Sequence, residues 1–182
     1  MPRRLRWLAL ALVALVVVAV VVAVVSVQPA LSDARDRVDQ AWVPLRPALV
    51  ARYQSLAAVE LTLVAAGGQA RTVTKDLGVA LTQWQHTARV DDPATQAPLA
   101  NDLEALALRV KANVAASERL RGNVVLGAAL ASFDRAVVSP PGVAAYNRVV
   151  RDYQQQRSGA VHHLVASVFG FDARPTLAIA GA

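Results

Sequence analysis

"VDQAWVPLRPALVARYQSLAAVELTL", residues Val38 to Leu63, carries its larger side chains on a strict alternation of four and three. Val38, Trp42, Leu45, Leu49, Arg52, Leu56, Val59 and Leu63 follow one another at steps of 4, 3, 4, 3, 4, 3 and 4. That is the heptad seam by which a helix packs in an antiparallel bundle. Two features disturb it. Arg52 occupies one seam position, and Pro44 and Pro47 fall inside the run, where a proline removes a backbone hydrogen bond and clashes with the preceding turn, at ~3 kcal/mol. Either the helix kinks there or two helices meet at "VPLRP".

Upstream of the seam, Trp7 to Val25 ("WLALALVALVVVAVVVAVV") holds no charged or polar side chain. Nineteen residues at ~1.5 Å each make ~28 Å of helix, close to the hydrocarbon thickness of a bilayer. The run is longer than a secretory h-region, and its exit, "VVSVQPALS", shows no small-residue cleavage site, so it reads as an uncleaved anchor. Arg3, Arg4 and Arg6 flank it and place the N-terminus on the cytoplasmic side. No second run of anchor length is apparent. The organisation expected is a basic cytoplasmic tail over 1–6, a transmembrane anchor over 7–27, an extracytoplasmic helical bundle over 30–171 and a C-terminal tail over 172–182.

Downstream the same alternation recurs. Gly67-Gly68 marks a break, and a helix over about 69–86 aligns Val73, Leu77, Leu81 and Trp84. "DDPATQ" is a helix start, with Asp92 as cap and Pro93 at the first helical position. The helix it opens aligns Leu99, Leu103, Leu106 and Val110 and is expected to bend at Gly122-Asn123 before continuing to about Val138. "SPPG" (Ser139 to Gly142) closes it. A last helix aligns Val143, Tyr146, Val150, Tyr153, Arg157, Ala160 and Leu164, again interrupted by an arginine. Strand signals are nearly absent. The fold class expected is all-α: one N-terminal transmembrane helix followed by an antiparallel, four-helix-type bundle.

Among 182 residues, 55% hydrophobic, there is no cysteine, which excludes disulfides, thiolate catalysis and Cys-ligated metal. Of 19 basic residues three precede the anchor, so 16 face 13 acidic ones in the remainder, a balance of +3 and not that of a nucleic-acid binder. His162 and His163 are adjacent, so on a helix they point ~100° apart and cannot share a metal. His86 is remote in sequence. Asp91-Asp92 and Asp134 read as caps and solvated charge. No H-E-x-x-H, nucleophile elbow or glycine-rich phosphate loop is present, and neither an enzyme nor a cofactor is expected.

Three stretches resemble the LemA family. "ARDRVDQAWVPLRPALVARYQSL" (Ala34 to Leu56) is similar to its first soluble helix, through Val38, Asp39, Gln40, Ala41, Trp42, Leu49, Arg52 and Tyr53. "AYNRVVRDYQ" is similar to its repeated Tyr-Asn pattern, through Tyr146, Asn147, Val150, Arg151, Asp152 and Tyr153. "FGFDARP" is similar to its Phe-Gly-Phe and Arg-Pro signature, through Phe169, Gly170, Phe171, Arg174 and Pro175. The chain departs from the family where "SLAAVE" replaces Ile-Pro-Asn-Leu-Val, where Gln154 replaces the second Asn, and where "SPPG" interrupts a helix. The resemblance implies a single span and an outward-facing bundle; it brings no established catalytic activity with it and suggests a role beside membrane neighbours.

The candidate interaction or register residues are therefore Arg52, Tyr53, Tyr146, Asn147, Tyr153, Phe169 and Phe171. Gly170 suits the left-handed position after a helix, with Phe171 folding back as the cap's hydrophobic contact. Alternatively Phe169 and Phe171 form a docking surface. Arg52 and Arg157 either cover packed edges with their stems or bury a guanidinium against Asp39, Asp152 or Glu60. Tyr146, Asn147, Tyr153 and Gln154 line one helix, facing the core or a polar groove. The function expected is a non-catalytic interaction or scaffold module in the cell membrane, bound to the bilayer through residues 7–27 and to a membrane protein partner. Its rival is a small-molecule or peptide-binding module at the cell surface.

Overall fold

The Val38–Leu63 seam is the centre of the molecule: all eight positions are buried, Arg52 included. The computed structural model describes residues 3–68, 71–90 and 92–179; within the helices, the side chains of 3–11, 16–17, 19–20, 23–24 and 161 lie outside that description. Every regular element among the described residues is helical. In chain order these are α1 (Arg3–Trp42), α2 (Arg46–Leu63), a wider π turn (Val64–Gly68), α3 (Thr72–Thr87), α4 (Pro93–Ala116), the short α5 (Glu118–Arg121), α6 (Val124–Arg135), α7 (Pro140–Arg157) and α8 (Ala160–Phe169).

The prolines split the seam helix. α1 stops at Trp42, a three-residue turn follows with Leu45 N–H donating to the Trp42 carbonyl (2.9 Å), and α2 opens with Pro47 in its first turn. A proline there is cheap, because its missing N–H would have had no intrahelical acceptor. Since the turn is nearly one helical turn long, the buried face continues from α1 into α2 without changing phase.

Three helix pairs run in opposite directions. α1 lies along α7, with Trp42 against Tyr146 (ring centroids 5.2 Å apart). α3 lies along α4, joined by Arg71 to Asn113 (3.2 Å) at one end and by Gln96 to the Thr87 carbonyl (2.9 Å) at the other. α2 lies along α6, with Arg52 reaching the Phe133 and Ala136 carbonyls near the end of α6. The starts are set by capping side chains: Asp92 accepts from Ala94 N–H (3.1 Å), Asn123 from Leu126 N–H (3.0 Å) and Ser139 from Gly142 N–H (3.3 Å).

Two expected continuations fail. The helix begun at Pro93 breaks at Ser117 as well as at Gly122-Asn123, so α4 and α6 are separate helices packed on different neighbours. The last helix breaks at Ser158-Gly159, and α8 is rotated so that Val165 and Ala166 are buried while Ala160 and Leu164 are exposed. Nor are residues 172–179 a free tail; they pack along α7 and α4 as described below.

The anchor expected over 7–27 lies on α1, and many of its side chains lie outside the described residues. Those described are exposed, among them Leu12, Leu15, Val18, Val22 and Val25, except Val27, which is half-buried against the core. Contrary to the reading that no second run reaches anchor length, Arg46–Gly68 is also long and apolar enough to cross a membrane. Its apolar stripe, Leu49, Leu56, Val59 and Leu63, is fully buried by its neighbours, as in the core helix of a globular protein.

Gly170 and Gly127 test the backbone account. Neither would bring an added Cβ within 4 Å of another group, but Gly170 has φ +68° and Gly127 is helical. Gly170→Ala should cost about 1–2 kcal/mol, while Gly127→Ala should gain about 0.5–1 kcal/mol. Thermal unfolding of the two variants should move in opposite directions.

Candidate functional site

Beyond α8 the chain enters a nine-residue strap, Phe171 to Ile179, of no regular secondary structure. Gly170 takes the left-handed conformation, and Phe171 N–H donates to the Ala166 carbonyl (2.9 Å), closing α8 in a Schellman-type cap. Phe171 is buried, whereas Phe169 is 47% exposed. The two rings do not form one surface.

The strap is held by the side chains of α7. Tyr153 donates to the Asp172 carbonyl (2.9 Å) and Gln154 to the Arg174 carbonyl (2.7 Å). One heptad earlier, Tyr146 donates to the Pro175 carbonyl (3.0 Å) and Asn147 to the Leu177 carbonyl (2.8 Å). Two helical turns advance ~10.5 Å, and three extended residues ~10 Å, so the two grips match the strap's own repeat. Asn147 also accepts from Leu177 N–H (2.7 Å), as a neighbouring strand would. On the opposite side Asn101 of α4 repeats this, donating to the Thr176 carbonyl (2.9 Å) and accepting from Ala178 N–H (2.7 Å). Burial pushes the Tyr146 hydroxyl above the usual phenol range, so it remains a neutral donor.

Arg174 is the strap's charged anchor. It is 4% exposed, and its guanidinium reaches Asp39 on α1 and Asp92 at the start of α4, both at 3.1 Å. The two carboxylates respond differently. Burial pushes Asp39 up, and the attraction of Arg174 and Arg35 only partly offsets it, leaving its pKa raised. Burial also opposes Asp92, but the Thr95 hydroxyl, the Ala94 N–H and Arg174 outweigh it and hold its carboxyl below the usual value. Asp92 is thus both helix cap and strap partner.

Arg52 forms the second polar centre. Its guanidinium is buried and bidentate on Glu104, at 2.6 and 2.8 Å, and donates to the Ala136 carbonyl (2.9 Å). Glu104 replaces all three partners expected for it, Asp39, Asp152 and Glu60. The Phe133 ring lies under the guanidinium (4.1 Å), and Lys111, paired with Asp134, lies near the same ring (5.4 Å). Tyr53 beside it donates to the Ala100 carbonyl (3.1 Å) and meets Trp84 edge-on (4.7 Å). A cavity of about 140 Å³ opens against Arg52, Glu104, Lys111 and Phe133, bordered by Ile179 at the far end of the strap. Arg157 is half-buried with its guanidinium over Tyr153 (5.8 Å), at a packed edge.

The structure therefore gathers Tyr146, Asn147, Tyr153 and Phe171 around the strap, keeps Arg52 and Tyr53 in the α2–α4 contact, and leaves Phe169 outside. Asn101, Glu104 and Gln96 escaped the sequence reading. Gln96 accepts from the Trp42 indole (3.0 Å) and donates to the Val90 carbonyl. Gln96 and Glu104 are polar residues on the buried face of α4, and Asn101, beside Asp102, gives no local sign of its role. His86 and His163 are exposed and His162 half-buried; Asp91 lies outside the described residues. Among the described residues no group of three or more His, Cys, Asp or Glu could hold a metal. Compared with protein-family models, curated proteins and solved structures, the chain matches none.

Removing one member of a buried ion pair costs about 3–5 kcal/mol, while replacing both with apolar groups is often neutral. Glu104→Leu should therefore unfold at clearly lower denaturant than Arg52→Met/Glu104→Leu; equal losses would show that the pair's charge is not what matters. The carboxylates give a second test. Asp92, with its lowered pKa, contributes stability present above its unfolded value near 3.8 and lost as pH falls through its folded value. Asp39, with its raised pKa, contributes in the opposite sense, being least favourable when ionised. As pH falls through the carboxylate range, the stability of Asp92→Asn relative to the parent should rise and that of Asp39→Asn should fall, as read by thermal unfolding.

Proposed function

We propose that this chain is a membrane-anchored, extracytoplasmic helical-bundle protein of the LemA type that works by binding membrane neighbours rather than by catalysis. Its anchor is the apolar first half of α1, with the N-terminus cytoplasmic and the antiparallel four-helix-type bundle outside. The observation that carries this reading is the character of α1. One uninterrupted helix from Arg3 to Trp42 exposes Leu12, Val13, Leu15, Val18, Val21, Val22 and Val25 and then buries Leu31, Ala34, Val38 and Trp42. An exposed apolar surface of that length needs a non-aqueous partner, and the preceding arginines orient it.

An interaction role is favoured because the buried polar groups are engaged in holding helices and strap together. The cavity beside Arg52, at about 140 Å³, is below the ~300 Å³ at which small-molecule sites begin, and the larger hollows, such as the one of about 560 Å³ along Glu60, Thr74, Val79 and His86, are open surface grooves and not enclosed pockets. The rival reading, capture of a small molecule or peptide between helices, has less to stand on. Anchoring raises the domain's effective concentration for partners in the same membrane.

Photo-crosslinking in native membranes tests the reading, with the reactive group at Val124 or Val125, which are 83% and 68% exposed. One stoichiometric membrane-protein partner is expected. Self-crosslinks alone would contradict it, and a thermal shift with a metabolite pool would favour the rival.

A further inference from the structure

α8 differs from the other helices. Its ten residues, Ala160 to Phe169, contain no Asp, Glu, Lys or Arg, whereas α2, α3, α4, α6 and α7 all carry charges. Val165 and Ala166 face the core, yet the outward side is also apolar: Leu164 is 57%, Val168 69% and Phe169 47% exposed, bordered by His163 and Ser167. At ~15 Å it is too short to cross a ~30 Å hydrocarbon layer.

Its position explains that surface. α7 runs opposite to α1 from the contact of Tyr146 with Trp42, and Arg37 shares a cleft with Asp152, Gln155, Gln156, Gly159 and His162. Arg157 is eleven residues beyond Tyr146, and Leu31 is eleven residues before Trp42. Both steps are ~16 Å of helix, so α7 ends beside Leu31. α8 starts three residues later and packs on α1. Leu31 lies four residues, or ~6 Å, beyond Val27 at the end of the apolar run. Headgroups occupy ~5–8 Å on each side of the hydrocarbon. If residues 7–27 span it, the start of α8 lies at headgroup depth, and its end leads to Asp172, which Tyr153 of α7 holds.

We propose that α8 is an interfacial helix: beside the anchor, its exposed apolar side, Leu164, Val168 and Phe169, rests against the boundary between headgroups and acyl chains of the outer leaflet. Short helices with an apolar side enter a bilayer to ~5–10 Å in this way. The inference rests on the anchor reading above. A second attachment fixes the domain's rotation about α1, so that the remote end, with α5 and the start of α6, faces away from the membrane in one orientation.

The chain has no cysteine, so single-site labelling needs no background substitutions. Nitroxides at Leu164→Cys and Val168→Cys, with references at Val18→Cys and Val124→Cys, are placed in the full-length protein in phosphatidylcholine–phosphatidylglycerol vesicles. All four positions are exposed, so the fold tolerates the label. The ratio of oxygen to water-soluble relaxant accessibility at 164 and 168 should lie above that at 124 and below that at 18. Ratios equal to that at 124, with 18 lipid-like, would overturn the interfacial helix and leave the anchor standing. Exclusion of both relaxants at 164 and 168 would mean that protein covers the face and would also overturn it. A water-like value at 18 would remove the anchor reading, and this inference with it.

Discussion

The guanidinium of Arg174, held between Asp39 and Asp92, is the contact on which the arrangement of the molecule turns. Asp39 is near the end of α1, Asp92 begins α4, and Arg174 belongs to the strap, so one buried cation joins three segments distant in sequence. They meet where the prolines have broken the long seam helix. A three-residue turn alone would let α2 swing on α1; Arg174, the Trp42–Gln96 bond and the bond from Arg46 to the Ala88 carbonyl (2.6 Å) all bind that joint from the side. Burial opposes the ionised form of both carboxylates. At Asp92 the capping hydrogen bonds and Arg174 outweigh it, whereas at Asp39 it prevails over the attraction of Arg174 and Arg35, and the pKa rises.

The strap itself is held by a match of repeats. A helix presents equivalent positions every seven residues, and an extended chain advances the same distance in three. Tyr146-Asn147 and Tyr153-Gln154 exploit that match, each pair supplying a phenol and an amide to two strap carbonyls. Gln154, one methylene longer than the asparagine of the repeated pattern, still reaches Arg174, so the departure changes reach and not role. The bonds go to backbone carbonyls and amides, which makes them indifferent to the strap's side chains. Only Phe171, Arg174, Leu177 and Ile179 are buried along it.

The heptad seam was legible because burial of one helical face is periodic, and the periodicity survived a proline break that occupies nearly one turn. Asp92 and Gly170 were legible for a similar reason: each acts on residues within a few positions of itself. The partner of Arg52 was not, since Glu104 lies 52 residues away and nothing local distinguishes it from Asp39, Asp152 or Glu60. The strap was hidden for a related cause. Its hydrogen bonds come from isolated side chains on two other helices and impose no pattern on its own sequence, so it read as a tail. The break at Ser158-Gly159 was masked by an apolar alternation that ran on into α8, where the exposed apolar residues answer to a different surroundings.

These features converge on one account: paired helices closed by a strap that joins α1 and α7 to the part built from α2, α3, α4 and α6. Hydrogen exchange of the native protein measures the closure directly. Leu177 and Ala178 N–H, given to Asn147 and Asn101, should exchange as slowly as amides within α4 and α7. Exchange of these two amides at the rate of an unstructured peptide, while α4 and α7 remain protected, would show that the strap is not part of the fold and would contradict the account.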